Sequence, residues 1–358
     1  MSGSQVLIYG ANGYTGRLVI REAVAKGLRP IVSGRNAAEL HALGAEHSLD
    51  VRVASLDDAA AMDRALADCA VVIHCAGPFS RTARPMADAC LRTGTHYLDI
   101  TGEISVFEGM AARSKEAAAA GVMLLPGAGF DVVPSDCLAA FLKEQLPSAT
   151  QLTLAFTGGT GLSRGTATTM TENIAEGGAV RRGGKIVRVP AAWRTRDVDF
   201  GDKVRHTVCI PWGDVSTAWY STRIPDIEVY TATARSASRA MKLTRYIGWL
   251  LATAPVQRWL KARIDAGAAG PSDAQRQRAT SRLWGEVRDG AGHRIAARLQ
   301  APDGYTLTAR TAVAAAMKVL GGAAKAGYQT PSLAFGSGFI LEIEGCRRDV
   351  VSAGEPVA

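Results

Sequence analysis

Seven residues near the start of the chain, Gly10-Ala11-Asn12-Gly13-Tyr14-Thr15-Gly16, have the spacing of a phosphate-cradling turn. They follow a short apolar run, Gln5–Tyr9, and open an amphipathic helical pattern. In that setting Gly10 allows a tight turn and Gly13 lets the backbone approach a pyrophosphate. Gly16 lets helix and strand pack closely. The N–H groups that start the helix then face the phosphates. The second strand ends Ser33-Gly34-Arg35, about twenty residues past the glycines, where an acidic side chain would bond ribose hydroxyls. An Arg there suits a 2′-phosphate, so NADP(H) is expected over NAD(H).

Three later loops carry groups that could move protons. They are Cys75-Ala76-Gly77-Pro78-Phe79, Tyr97-Leu98-Asp99-Ile100-Thr101-Gly102-Glu103, and Gly127-Ala128-Gly129-Phe130-Asp131 running on to Pro134-Ser135-Asp136. Ligands of an open parallel sheet gather beyond the carboxyl ends of its strands, where these loops emerge. Tyr97, Asp99 and Thr101 share one face of their strand by alternation. A buried Asp is costly unless paired, so Asp99 suits a structural partner as well as catalysis.

These loops need a scaffold, and the first 130 residues supply one. Apolar runs at 30–33, 51–54, 70–75, 96–100 and 122–125 alternate with helical stretches at 16–26, 59–67, 85–92 and 107–120. Continuous β-branched strands alternating with helices predict a doubly wound, Rossmann-type parallel sheet covered on both faces. Beyond about residue 134 the texture changes to alternating apolar and polar runs, which predict a second α/β domain with a mixed or antiparallel sheet. A hairpin is expected at Asp289-Gly290-Ala291-Gly292, and a helix over 308–320. The 358 residues, 47% hydrophobic and 21% charged, exclude collagen-like and disordered classes. The net charge of +8 favours anionic ligands, though a plainly basic surface reads the same way. Six dispersed cysteines without a Cys-x-x-Cys pair point to reduced thiols and a cytoplasmic protein.

The motifs together resemble the saccharopine dehydrogenase-like oxidoreductases. They are Gly10-x-x-Gly13-Tyr14-Thr15-Gly16-Arg17, Ala76-Gly77-Pro78-Phe79, His96 to Glu103, and Gly129-Phe130-Asp131-Val132-Val133-Pro134-Ser135-Asp136. The similarity reappears at Ser163-Arg164-Gly165-Thr166, Pro211 to Asp214, and Gly327 to Pro331 with Phe335-Gly336, and leans to the branch with trans-acting enoyl reductases. The resemblance implies NADP(H) use, a Rossmann domain, a second α/β domain, and a last helix that returns to the first domain. It implies boundaries at 1–133, 134–305 and 306–358 for the cofactor domain, the substrate or dimerisation domain, and the returning helix and tail. In the fungal saccharopine reductase an Asp of a Gly-Leu-Asp loop lies near the substrate amine, and Asp131 matches that position. The rest of that substrate site has no counterpart here, so a different C=C or C=N substrate is expected. Ser55 stands where such chains carry an Asp near the adenine.

The expectation is therefore an NADP(H)-dependent oxidoreductase reducing an enoyl or imine group of a small molecule or acyl thioester in an interdomain cleft. The cofactor would contact Gly10, Asn12, Gly13, Tyr14, Thr15, Gly16, Arg35, Ser55, and Cys75 through Phe79, with Gly77–Phe79 beside the nicotinamide. Candidate proton donors are Tyr97, Asp131 and Ser135. An ordinary Asp titrates near ~4, so Asp131 needs burial to donate at neutral pH. The alternative is a non-catalytic NADP(H)-binding sensor or scaffold. A third reading takes Gly161-Leu162-Ser163-Arg164-Gly165 as a hydrolase elbow, with Asp214 and His293 in order. No metal site is expected, because the six His are scattered and His-Glu-x-x-His is absent. No nucleic-acid module is evident. Residues 239–263 have basic ends around an apolar centre and suit a packed helix or homodimer contact ahead of a peripheral membrane contact.

Overall fold

Strands apolar on both faces organise the first third of the chain. The computed structural model describes residues 4–158, 163–172, 177–251 and 253–351. Strands and helices alternate as β1 (Gln5–Tyr9), α1 (Tyr14–Ala25), β2 (Ile31–Gly34), α2 (Ala37–His47), β3 (Val51–Val53), α3 (Ala59–Leu66), β4 (Cys69–His74) and α4 (Phe79–Thr93). They continue through β5 (His96–Asp99), α5 (Ile104–Ala112), α6 (Ser114–Ala119) and β6 (Met123–Leu125). Next come α7 (Val133–Gln145), β7 (Gln151–Thr157), α8 (Arg164–Glu172), β8 (Gly178–Arg182), β9 (Lys185–Val189), β10 (Thr195–Asp199) and β11 (Val204–Cys209). These lead to α9 (Asp214–Thr222), β12 (Asp226–Ala232), α10 (Arg235–Leu251), α11 (Ala254–Asp265) and α12 (Asp273–Arg278). The last elements are β13 (Thr280–Arg288), β14 (Arg294–Pro302), α13 (Gly304–Leu320), β15 (Gly327–Tyr328), α14 (Pro331–Phe335) and β16 (Arg347–Val351).

The chain divides into two compact units, Met1–Val133 with Tyr305–Phe335, and Pro134–Gly304 with Gly336–Ala358. In the first, seven strands run in the order β15-β6-β5-β4-β1-β2-β3, every pairing parallel. All six residues of β4 are buried, as are Leu7 and Ile8 beside them on β1. Strands covered on both faces carry no polar side, which is why they read as unbroken apolar runs. The order reverses between β1 and its two neighbours, β2 and β4, and ligands of such sheets bind at that reversal.

In the second unit a mixed sheet runs β10-β11-β12-β7-β13-β14-β16, with the β8–β9 hairpin joined through β12. Its pairings are antiparallel except β7 with β12, which run parallel over six residue pairs. The chain crosses over between these two strands through α8 to α9, as a parallel pair requires. Leu138 and Leu142 of α7 pack on Gly285, where an added Cβ would lie 2.7 Å from Leu142. The expected hairpin is present: β13 and β14 pair around a turn in which Asp289 accepts from the N–H groups of Ala291 and His293.

Several expectations need correction. The tail assigned to the first domain divides, because Arg347–Val351 pairs with β14 of the second sheet. Helix α4 starts at Phe79 instead of Pro85, because Glu103 from a neighbouring loop caps it. Helix α2 is unanticipated, yet Asn36 and Glu39 carry its start signal, the Asn36 side chain accepting from the Glu39 N–H at 3.3 Å. Residues 239–263, expected as one packed helix, belong to two helices, α10 and α11, the second opening with Ala254-Pro255. Among the described residues no helix is long and apolar enough to cross a membrane.

Candidate functional site

The first strand reaches its turn as the glycine spacing predicts. Gly10 has φ +77°, and a Cβ on it would sit 2.8 Å from the backbone nitrogen and Cβ of Ala76. Both the left-handed backbone and the close approach therefore demand glycine. A Cβ on Gly16 would lie 2.3 Å from the Gly10 carbonyl oxygen, so helix and turn are in backbone contact. Gly13 faces the same oxygen at 3.2 Å, and the Gly13 N–H donates to it at 3.0 Å. The N–H groups of Gly10 and Ala11 both donate to the Ser33 carbonyl, tying the turn to β2. Helix α1 starts without a side-chain cap and without an acid in its first turn, so its positive end suits an anion.

Around that turn lie the remaining cofactor candidates. Arg35 follows β2 and is exposed, and the Asn12 amide donates to Glu39 at 2.9 Å. Arg17 donates back to the Asn12 carbonyl at 3.2 Å and so braces the turn. Ser55 sits after β3 and accepts from the Asp57 N–H at 3.3 Å, shaping the approach to α3. Tyr14 meets Tyr305 of α13 edge to face, 5.2 Å between centroids. Thr15 stands in the first turn of α1, half-buried.

The β4 loop is pinned by Glu103, an acid whose role no local sequence signal announces. Glu103 accepts from the Phe79 N–H at 2.9 Å and the Ser80 N–H at 3.1 Å. It thereby caps α4 and fixes Gly77-Pro78-Phe79, whose Gly77–Pro78 peptide is cis. The Thr82 hydroxyl donates to the Ala76 carbonyl at 2.6 Å. Cys75 is half-buried, and burial pushes its thiol up to about 12, so it stays a thiol. Beneath the loop, His74 is fully buried against the rings of Tyr9, Phe79 and Tyr97, and neither ring nitrogen has a hydrogen-bond partner among the described residues. Burial drives its pKa down to about 3, so the imidazole is neutral.

The substrate-side candidates separate into different environments. Tyr97 is fully buried and donates to Asp99 at 2.5 Å. Asp99 also accepts from the Thr101 N–H at 3.0 Å and the Gly127 N–H at 2.8 Å, which joins the β5 loop to the β6 loop. Burial raises Asp99 to about 6, opposed by those donors, and raises the Tyr97 phenol well above its usual value. Asp131 is half-buried on the β6 loop, and burial raises its carboxyl to about 7. Gly102 lies against it, leaving 2.7 Å between an added Cβ and Oδ2. Helix α13 supports this loop: Thr308 accepts from the Phe130 N–H at 2.9 Å and Thr311 donates to the Ala128 carbonyl at 2.8 Å. Ser135 is buried in the first turn of α7, in the second unit.

The structure thus brings the glycine turn and the β4 loop together in one unit, along with Tyr97 and Asp131. It does not assemble the hydrolase constellation. His293 is exposed and its Nδ1 pairs with Asp289, four residues back in the hairpin. Gly161 and Leu162 of the proposed elbow lie outside the described residues.

A parallel sheet with a glycine turn at its order reversal, an uncapped helix behind it and an Arg after β2 defines a dinucleotide-binding domain of the oxidoreductase class. Residues 6–125 match the saccharopine dehydrogenase NADP binding domain, about a third of the chain and most of the first unit. The resemblance drawn from the motifs is thereby borne out. A trans-acting enoyl reductase of Mycobacterium leprae is 32% identical over 142 residues, 37% of this chain and 33% of that one. A saccharopine dehydrogenase-like oxidoreductase of Mus musculus is 26% identical over 161 residues, 39% of this chain and 38% of that one. The matches span 33% and 38% of these relatives' length, well short of the whole. Among solved structures, the apo saccharopine dehydrogenase (L-Glu forming) of Saccharomyces cerevisiae shares the fold, with TM-score 0.67 at 14% identity over 98% of this chain and 100% of that one. The homospermidine synthase of Legionella pneumophila, solved with NAD, gives 0.63 at 8% identity over 94% and 88%. NADP(H) is the cofactor of this domain family, and the turn fits it: at Gly10 and Gly16 an added Cβ would strike backbone, and Arg35 offers a charge for the 2′-phosphate.

Proposed function

We propose that the chain is an NADP(H)-dependent reductase of an enoyl C=C or a C=N group, with Asp131 as the proton donor. When bound, NADPH supplies the hydride for such a reduction. Gly13 admits the pyrophosphate, Gly10 and Gly16 hold the turn tight against Ala76 and α1, the start of α1 faces the phosphates, and Arg35 takes the 2′-phosphate. Glu103 holds the Gly77–Phe79 backbone in place through two N–H groups.

The choice of donor rests on where Asp131 stands: half-buried on the β6 loop at the carboxyl edge of the sheet, against Gly102, where desolvation raises its carboxyl to about 7. A donor with that pKa is protonated in part at neutral pH and gives up its proton readily. Tyr97 has its proton directed at Asp99 inside the core and serves to position that carboxylate and the loops it joins. Ser135 is left as a buried helix-start residue.

The test is NADPH oxidation against a panel of enoyl thioesters and cyclic imines at varied pH. The reading expects turnover of one class, with the rate falling as pH rises through about 7. Asp131→Asn should lose about 10²-fold or more and flatten the profile. Unchanged turnover and pH dependence in Asp131→Asn would remove this donor. Tight NADPH binding with no oxidation of either class would favour the nucleotide-sensor reading instead.

A further inference from the structure

The second unit holds a cavity of about 660 Å³ on its mixed sheet, lined by residues with no part in the site above. That volume lies within the ~300–1,000 Å³ typical of small-molecule pockets. Its floor is formed by two buried carboxylates. Glu228, 8% exposed, accepts from Arg182, from Arg194 at 3.1 Å, and from the Tyr230 hydroxyl. Glu286, 4% exposed, pairs with Arg288 at 2.9 Å, with Arg294 at 3.6 Å and with Arg196 at 3.8 Å.

These pairs do not balance. Arg182, Arg194, Arg196, Arg288 and Lys242 line the cavity against three acids, Asp226, Glu228 and Glu286, an excess of two positive charges. Asp226 is already engaged, accepting from the Gly183 N–H at 2.8 Å. Arg182, Arg194 and Arg288 are fixed at one edge by hydrogen bonds to the buried carboxylates, and Arg196 lies over the Trp284 ring, 4.9 Å from its centroid. All four remain partly exposed, from 31% for Arg196 to 59% for Arg194. Pre-oriented guanidinium groups with spare donors match carboxylate and phosphate oxygens. A recess with excess charge of one sign concentrates its counter-ion. Trp193, 39% exposed, adds a flat apolar wall, with the Arg194 guanidinium 5.7 Å from its ring.

We propose that this cavity binds an organic phosphate, its charge held by Arg194, Arg196 and Lys242 and a flat body resting on Trp193. The proposal stands independently of the reductase reading. Its test is calorimetric titration of the NADPH-saturated protein with pyrophosphate and with ADP. Both should bind without displacing NADPH, and ADP more tightly. Arg194→Ala combined with Lys242→Ala should weaken both by about tenfold or more. Glu228 keeps Arg182 and Tyr230 in that variant, so the fold is retained, and an unchanged melting temperature and NADPH affinity check this. Trp193→Leu should weaken ADP and leave pyrophosphate unaltered. Absence of binding, binding that displaces NADPH, or affinities untouched by the double variant would overturn the site. Equal affinity for the two probes would overturn the place given to Trp193.

Discussion

The two sides of the first sheet are built by different means. On the cofactor side, around β1, β2 and β4, the shape is set by missing side chains: Gly10 and Gly16 bring backbone against backbone. On the β5–β6 side it is set by buried acids: Asp99 gathers a phenol and two N–H groups, and Glu103 caps α4. The first side needs space and the second needs hydrogen-bond acceptors. Damage on the first side should therefore appear in cofactor affinity, and damage on the second in stability.

The largest effect is expected on the acid side. Asp99→Ala leaves the Tyr97 hydroxyl and the N–H groups of Thr101 and Gly127 buried without their acceptor. At ~1–3 kcal/mol for each orphaned donor, the loss of stability should reach about 3–5 kcal/mol in denaturant unfolding. A change under about 1 kcal/mol would mean that Asp99 is not what holds the two loops. Gly16→Ala comes next. Its Cβ would meet the Gly10 carbonyl oxygen at 2.3 Å, so turn or helix must shift. A cost of about 2–3 kcal/mol is expected, with NADPH affinity down about 10²-fold or more by fluorescence titration. Normal NADPH binding in this variant would break the contrast between the two sides. Thr308→Ala is the smallest: loss of the acceptor for the Phe130 N–H should lower stability by about 1 kcal/mol and leave NADPH binding intact.

The acid side should also show a pH signature. Burial raises Asp99 to about 6 in the folded chain, above the ~4 of an unfolded Asp. The folded state then holds this proton more tightly than the unfolded state does. Its contribution to stability is present below pH ~4 and is lost as pH rises through about 6. Unfolding midpoints measured from pH 4 to 7 should contain a decline that Asp99→Asn removes. An identical slope in both proteins would remove Asp99 as its source.

What could be read in advance divides along the same line. The glycine turn is local: seven residues between a strand and a helix state their own geometry, and Arg35 ends the adjacent strand. The Tyr97–Asp99 pair was within reach of strand alternation, since residues two apart share a face. Nothing nearby announces that Glu103 caps a helix beginning 24 residues earlier, or that Thr308 supports a loop 178 residues away. The first contact exists because β4 and β5 lie side by side in the sheet, and the second because the chain returns through α13 to that sheet before β15 joins its edge. The second unit was legible as strands and helices but not as a topology. The parallel β7–β12 pairing depends on a crossover, which alternation alone does not reveal.

We propose that the preference for NADP(H) rests on the glycine-lined turn and one well-placed charge, Arg35. Titration of the wild type and Arg35→Ala with NADPH and NADH tests it most directly. The wild type should prefer NADPH by about tenfold or more, and Arg35→Ala should lose this preference while keeping its affinity for NADH. NADH binding as tightly as NADPH, or a preference that survives Arg35→Ala, would contradict it.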